Sequence, residues 1–147
     1  MIPGVKGYLE CKRYLKYNIN KFMLEDKKLK AFIPTVKQEQ AKDFYRDILG
    51  LELLSQDSYA LEFFANGTLL RITTVEKFVP HPFTVLGWDV DGLSDLIESF
   101  ALKGVHFEKY DFLEQDKLRI WTSPGGARVA WFKDPDGNLL SLTEYPR

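Results

Sequence analysis

From Lys30 onward the apolar positions change period in a regular order. Lys30 to Lys37 alternates, with Phe32 and Val36 on one face, as a strand does. Gln40 to Leu49 then places Ala41, Phe44, Tyr45 and Ile48 at spacings of three and four, which predicts a helix, and Gly50 stands where its C-cap belongs. Leu51 to Leu54, Tyr59 to Phe64 and Leu69 to Thr74 read as three strands, with Asn66-Gly67 as the tight turn between the last two. The unit is βαβββ.

The same unit is written a second time. Phe83 to Val90 predicts a strand, Leu93 to Lys103 a helix ending at Gly104, and strands follow near Val105 to Lys109, Leu118 to Ser123, Arg128 to Lys133 and Asn138 to Thr143. Asn66 to Thr73 matches Asp136 to Thr143 about 70 residues later, whereas Val36, Gly50, Leu51 and Leu53 match Val90, Gly104, Val105 and Phe107 at about 54. The offsets differ by roughly 16, so copy two carries an insertion, Asp111 to Gly126. Pro80 and Pro82 mark the linker, and Asp134-Pro135-Asp136-Gly137 closes the last hairpin.

Copies this short would each expose much of an apolar face alone, so one α+β domain of two tandem modules is expected. Its boundaries are a basic extension over 1–28 and a domain over 29–147, with module one at 29–79 and module two at 83–145. Side chains alternate across a strand, so one face of each sheet packs on its helix and the other lines an open cavity.

Composition narrows the classes. The chain is 45% apolar with a net charge of -1, and no stretch approaches the roughly 20 apolar residues of a membrane span. A near-neutral charge gives no broad field for nucleic acid. The basic run is Met1 to Phe22, with Lys6, Lys12, Arg13, Lys16 and Lys21 against Glu10, and it has no continuous apolar core like a secretory signal. Tyr8, Cys11, Leu15 and Ile19 recur there at helical spacing, which permits an amphipathic helix or a peripheral extension ahead of a second start at Met23. Cys11 is the sole cysteine, so no internal disulfide forms, and a cytoplasmic location is expected.

Phe44-Tyr45-Arg46-Asp47-Ile48-Leu49-Gly50-Leu51 and Val129-Ala130-Trp131-Phe132-Lys133-Asp134-Pro135-Asp136-Gly137-Asn138 resemble the vicinal oxygen chelate superfamily. That group includes glyoxalase I, bleomycin and fosfomycin resistance proteins and extradiol dioxygenases. The resemblance spans about Leu29 to Tyr145 and implies paired βαβββ modules around an open, barrel-like cavity, commonly in a homodimer. It leaves the chemistry open, from metal-dependent isomerisation to drug sequestration.

In metal-dependent members the ligands come from the first and last strands of both modules. Those positions fall here on Ala31 or Lys30, on Arg71, on about Val85 and on Ser141. None is His, Glu or Gln, and a guanidinium opposes a cation while offering it no lone pair, so no metal cofactor is expected. His81 lies between prolines and His106 points away from the face of Val105 and Phe107, so the two do not converge. Glu144 has the opposite parity to Ser141 and reads as an outward or edge charge.

Strand parity aims Ile33, Thr35, Leu69, Arg71, Thr73, Val85, Gly87, Asp89, Leu139, Ser141 and Thr143 into the cavity. Apolar walls with a few polar groups suit a small organic molecule. Arg71 then pairs either with an acidic group of the ligand or with Asp89 as an internal bridge. Trp88 points to the helix layer, while Trp121, Trp131, Gln115 and Asp116 are further ligand-binding candidates, the inserted hairpin forming a lid. Pro124 to Arg128 lacks the ending of a phosphate loop, and no nucleophile elbow occurs.

The expected function is a metal-free, homodimeric binder of a small hydrophobic or aromatic molecule, bleomycin-resistance-like. The alternatives are a glyoxalase-like lyase, isomerase or dioxygenase, and an interaction module that recruits a partner through the N-terminal segment.

Overall fold

Residues 23–147 are described by the computed structural model. Met1 to Phe22, with the amphipathic stretch expected there, lies outside the described residues. In chain order the elements are β1 (Lys30–Thr35), α1 (Gln38–Asp43), β2 (Glu52–Gln56), β3 (Ala60–Ala65), β4 (Thr68–Thr74), β5 (Thr84–Asp89), α2 (Leu93–Leu102), β6 (Trp121–Thr122), β7 (Arg128–Lys133) and β8 (Leu139–Glu144).

The helix of copy one does not run on evenly as its spacing suggests. After Asp43 it widens into a π turn over Phe44–Ile48, closed by the Leu49 N–H donating to Phe44 O at 3.0 Å. The wider turn accompanies the burial of two consecutive rings, Phe44 and Tyr45, which meet edge to face at 5.2 Å.

Each copy forms one four-stranded sheet, ordered β1-β4-β3-β2 and β5-β8-β7-β6, and these are mixed α+β modules rather than closed barrels. The outer pairs β1–β4 and β5–β8 are parallel and the rest antiparallel. Asn66 (φ 43) and Gly67 (φ 91) both take positive φ, the backbone that a two-residue hairpin turn demands.

Two expected strands of copy two are mostly lost. Val105 to Lys109 reduces to a single bridge, Phe107 to Phe132, and Leu118 to Ser123 shortens to Trp121–Thr122. Arg119 is the reason for the second: its φ of 66 breaks extension, and Asp116 holds the turn by accepting from the Leu118 and Ile120 N–H groups.

The core is continuous between the copies. Phe132 of β7 meets Phe44 of copy one at 6.3 Å and Phe100 and Phe107 of copy two at 6.1 and 5.4 Å. The turn after β7 is fastened to copy one as well. Thr35 Oγ1 and the Val36 N–H donate to Asp136, and Asn138 Nδ2 donates to Pro34 O at 3.1 Å.

Candidate functional site

Register decides which side chains each sheet presents. In sheet one, Ile33 pairs with Ile72 and Ile72 with Leu61, all at most 1% exposed beneath α1. The opposite face therefore carries Lys30-Leu69-Phe64 and Phe32-Arg71-Glu62, each set in register across β1, β4 and β3. Phe32 and Phe64 are 62% and 44% exposed, so this face is open.

Two expectations are corrected here. Ile33 and Thr35 do not look into a cavity with Arg71; they share the buried face, where Thr35 is fully covered and bonded to Asp136. A parallel partner 39 positions away pairs an odd residue of β4 with an even residue of β1, which reverses the face inferred from numbering alone. Nor does Arg71 bridge to Asp89. Its Nη1 donates to Glu62 Oε1 at 2.9 Å, across the strand pair, with Lys30 Nζ 3.6 Å from the same oxygen. The Arg71 hydrogen bond holds the Glu62 carboxyl below its usual range.

Sheet two obeys its expected parity from Leu86 onward; a register shift between Thr84 and Leu86 puts Thr84 rather than Val85 opposite Leu139, which corrects the expected place of Val85 in the row. Leu86-Leu140-Phe132 and Trp88-Leu142-Ala130 face α2, so Trp88 packs in the helix layer. Gly87-Ser141-Trp131 and Asp89-Thr143-Val129 face the other way, and Trp121 continues the second row. Gly87 lies close under its neighbour: a Cβ there would lie 2.6 Å from Ser141 Oγ, which would have to move.

Trp131 is the centre of this face. Its Nε1 donates to Thr84 Oγ1 at 3.1 Å, so the indole from β7 reaches over β8 to β5. Beneath that span Leu139 and Ser141 are only 7% and 8% exposed. Tyr110 meets the same indole edge to face at 5.6 Å, and Trp121 lies tilted at 6.3 Å. Phe112, 81% exposed, lies tilted against Tyr110 at 5.4 Å within the insertion. The result is an aromatic wall beside Ser141, Thr143 and the exposed Asp89.

The loop carrying Gln115 and Asp116 is held by those residues. Gln115 accepts from the Tyr110 N–H and donates to Glu108 O and Arg119 O. Both line a recess of about 370 Å³ that also includes Trp121. Structure thus gathers Ser141, Asp89, Trp121, Trp131, Gln115 and Asp116 around sheet two, leaves Arg71 and Thr73 on sheet one, and removes Thr35. Sequence reasoning missed Phe32, Phe64, Glu62 and Tyr110. The repeat alignment located the strands of Phe32, Glu62 and Phe64, but only the register shows their faces, and Tyr110 lies outside any strand, placed by its contact with Trp131.

Glu144, expected as an outward or edge charge, is engaged within the fold. Gly92 (φ 65) offers α2 no side-chain cap, and Glu144 Oε1 takes that role by accepting from the Leu93 N–H at 3.1 Å. Its other oxygen accepts from Arg128, whose Nη2 also donates to Ser94 Oγ at 2.9 Å. The Leu93 N–H holds the Glu144 carboxyl below its ordinary value.

The four positions that the resemblance assigns to metal ligands carry no imidazole or carboxylate side chain. Val85 has no donor atom, Arg71 and Lys30 are cations committed to Glu62, and Ser141 offers a neutral hydroxyl. Among the described residues no three of His, Cys, Asp and Glu converge. His81 stacks on Phe83 at 5.7 Å, and His106 lies beside the Asp134 turn.

Paired βαβββ sheets, each with one face on a helix and one left open, define a class of binding and catalytic modules built by duplication. The chain belongs to the Glyoxalase/Bleomycin resistance protein/Dioxygenase superfamily, whose family model matches residues 29–142. Among solved structures it is similar to a member of that superfamily from Sphaerobacter thermophilus, at 22% identity over 83% of this chain and 99% of that one, with a TM-score of 0.64. A superfamily protein from Alicyclobacillus acidocaldarius gives 17% identity, coverage of 83% and 93%, and a TM-score of 0.63. A lactoylglutathione lyase from Agrobacterium tumefaciens gives 17% identity, coverage of 79% and 91%, and 0.61. At such identities the likeness shows the fold. No curated protein matches the chain.

Proposed function

We propose that this superfamily member uses no metal and binds a small, largely neutral aromatic molecule on the open face of sheet two. The observation that carries the reading is the indole of Trp131, spanning to Thr84 with Tyr110 and Trp121 against it. Aromatic walls bind planar molecules by area and by edge or offset stacking, while Ser141, Thr143 and Asp89 supply a few polar groups to orient them. Neutralisation of Arg71 by Glu62 removes the reason to favour an acidic ligand.

The metal-free part of the proposal rests on donor type at Lys30, Arg71, Val85 and Ser141. A homodimer fits the same picture. Phe32, Phe64, Phe83 and Val85 are 40–62% exposed, and a second copy laid on these faces removes them from water.

The test is a thermal-shift screen of neutral and charged aromatic compounds on the full chain, with metal analysis after incubation with Ni, Zn, Mn and Fe. Neutral aromatics are expected to raise Tm in the wild type and not in Trp131→Ala, because a ligand of the native state alone stabilises it. Stoichiometric metal retention would overturn the reading in favour of a glyoxalase-like lyase, isomerase or dioxygenase.

A further inference from the structure

A second cavity lies on the opposite side of sheet two, beneath α2, and shares no residue with the aromatic wall. It is a recess of about 220 Å³, partly open to solvent at its rim. Its floor is Phe100, Phe132 and Leu142, all buried, and its rim is the half-buried Leu49, Leu51, Trp88, Val90 and Leu96. No lining side chain is charged.

Copy one supplies part of the wall. Gly50 (φ 76) ends the π turn in the left-handed region, with the Leu51 N–H donating to Tyr45 O at 3.0 Å, and the leucines on either side reach the cavity of copy two.

We propose that this cavity is a binding site for a small, neutral, apolar molecule, of the size of a single substituted aromatic ring. Apolar cavities of about 150 Å³ take up benzene or xenon and exclude water, which finds no polar partners there. Volume rules out the larger occupants: an α-helix with its side chains is about 10 Å across and does not enter. The absence of a charge on the wall rules out an ionised ligand, whose desolvation nothing would offset. Because both copies line the site, an occupant touches Leu51 and Trp88 together and holds the two modules in their present arrangement.

The experiment is a methyl-NMR titration of the full chain with toluene. Methyls of Leu96, Leu142 and Val90 are expected to shift saturably, and those of Leu61 and Leu70, beneath sheet one, to stay in place. Leu96→Phe fills the space and weakens the response by about tenfold, the loss that follows when one ring's contacts are displaced. Trp121→Ala, on the other face, leaves it intact, which separates this site from the aromatic wall. Crystals of the wild type under xenon pressure give an independent reading, with xenon between α2 and β8. Methyls that stay still at toluene saturation, a response abolished by Trp121→Ala, or xenon absent from the cavity would each overturn the proposal. A failed screen on the open face would not touch it.

Discussion

The Tyr45 hydroxyl donates to Asp134 Oδ2 at 2.8 Å, both groups buried, and so ties the helix of copy one to the last hairpin of copy two, 89 positions away. Asp134 also accepts from the Asp136 and Asn138 N–H groups and from Asn138 Nδ2. The Asp-Pro-Asp-Gly turn is therefore a fastening between modules as well as a turn.

Removing the hydroxyl strands a buried carboxylate oxygen with one donor fewer. Tyr45→Phe is expected to destabilise by about 1–3 kcal/mol at unchanged ring packing. Urea unfolding checks this: the midpoint falls while the slope stays the same.

Burial pushes the Asp134 carboxyl above its ordinary value, with the bonds from Asn138 and Tyr45 opposing the shift. A folded-state value above the unfolded one means a contribution to stability present below the unfolded pKa and lost as pH rises through the folded pKa. Carboxyl carbon NMR of the folded protein is expected to show Asp134 titrating above 3.8. Titration at or below that value would contradict the burial argument.

Glu144 has the opposite sign. Its lowered folded-state pKa gives a contribution present above the unfolded value and lost as pH falls through the folded one. Glu144→Ala removes the cap of α2 and is expected to lower stability by roughly 1 kcal/mol near neutral pH, with the gap to wild type closing in acid. Thermal melts of both proteins from neutral to acidic pH measure the convergence.

Arg71 is neutralised across the strand pair by Glu62. Glu62→Gln leaves its guanidinium without a charged partner on an open face, and acidic aromatics such as benzoate are expected to bind several-fold more tightly than to wild type. The gain should shrink as salt is raised, since the pair is only partly buried. Calorimetric titration at two ionic strengths tests both statements.

The contact of Gly87 with Ser141 calls for a double-mutant cycle. Gly87→Ala places a methyl 2.6 Å from Ser141 Oγ and is expected to destabilise by about 1–3 kcal/mol. Adding Ser141→Ala removes the offending atom and restores most of the loss. A coupling energy near zero between the two changes would show that the backbone, not the hydroxyl, carries the strain.

Much of the architecture was legible along the chain. Spacing at Ala41, Phe44, Tyr45 and Ile48 placed the first helix, Asn66-Gly67 the hairpin, and the matched Asn66 and Asp136 phrases the duplication. The parity of β8, and of β5 from Leu86 onward, held as well, putting Gly87, Asp89, Ser141 and Thr143 on one open face and Trp88 under the helix, while a register shift displaced Val85 from its expected place. Parity failed for β1, where Phe32 rather than Ile33 sits beside Arg71.

The contrast follows from the range of the interactions. Period, turn chemistry and repeat identity belong to neighbours along the chain, so the sequence alone determined two βαβββ units, their order and the inserted segment. Pairing of β1 with β4 joins residues 39 positions apart, and a slip of one position turns every side chain to the other face. Only the tertiary structure decided that Glu62 holds Arg71, that Trp131 crosses β8 to reach Thr84, and that Glu144 caps a helix begun 51 residues earlier. Each of those contacts is made across strands or between layers, where local pattern carries no information about distance.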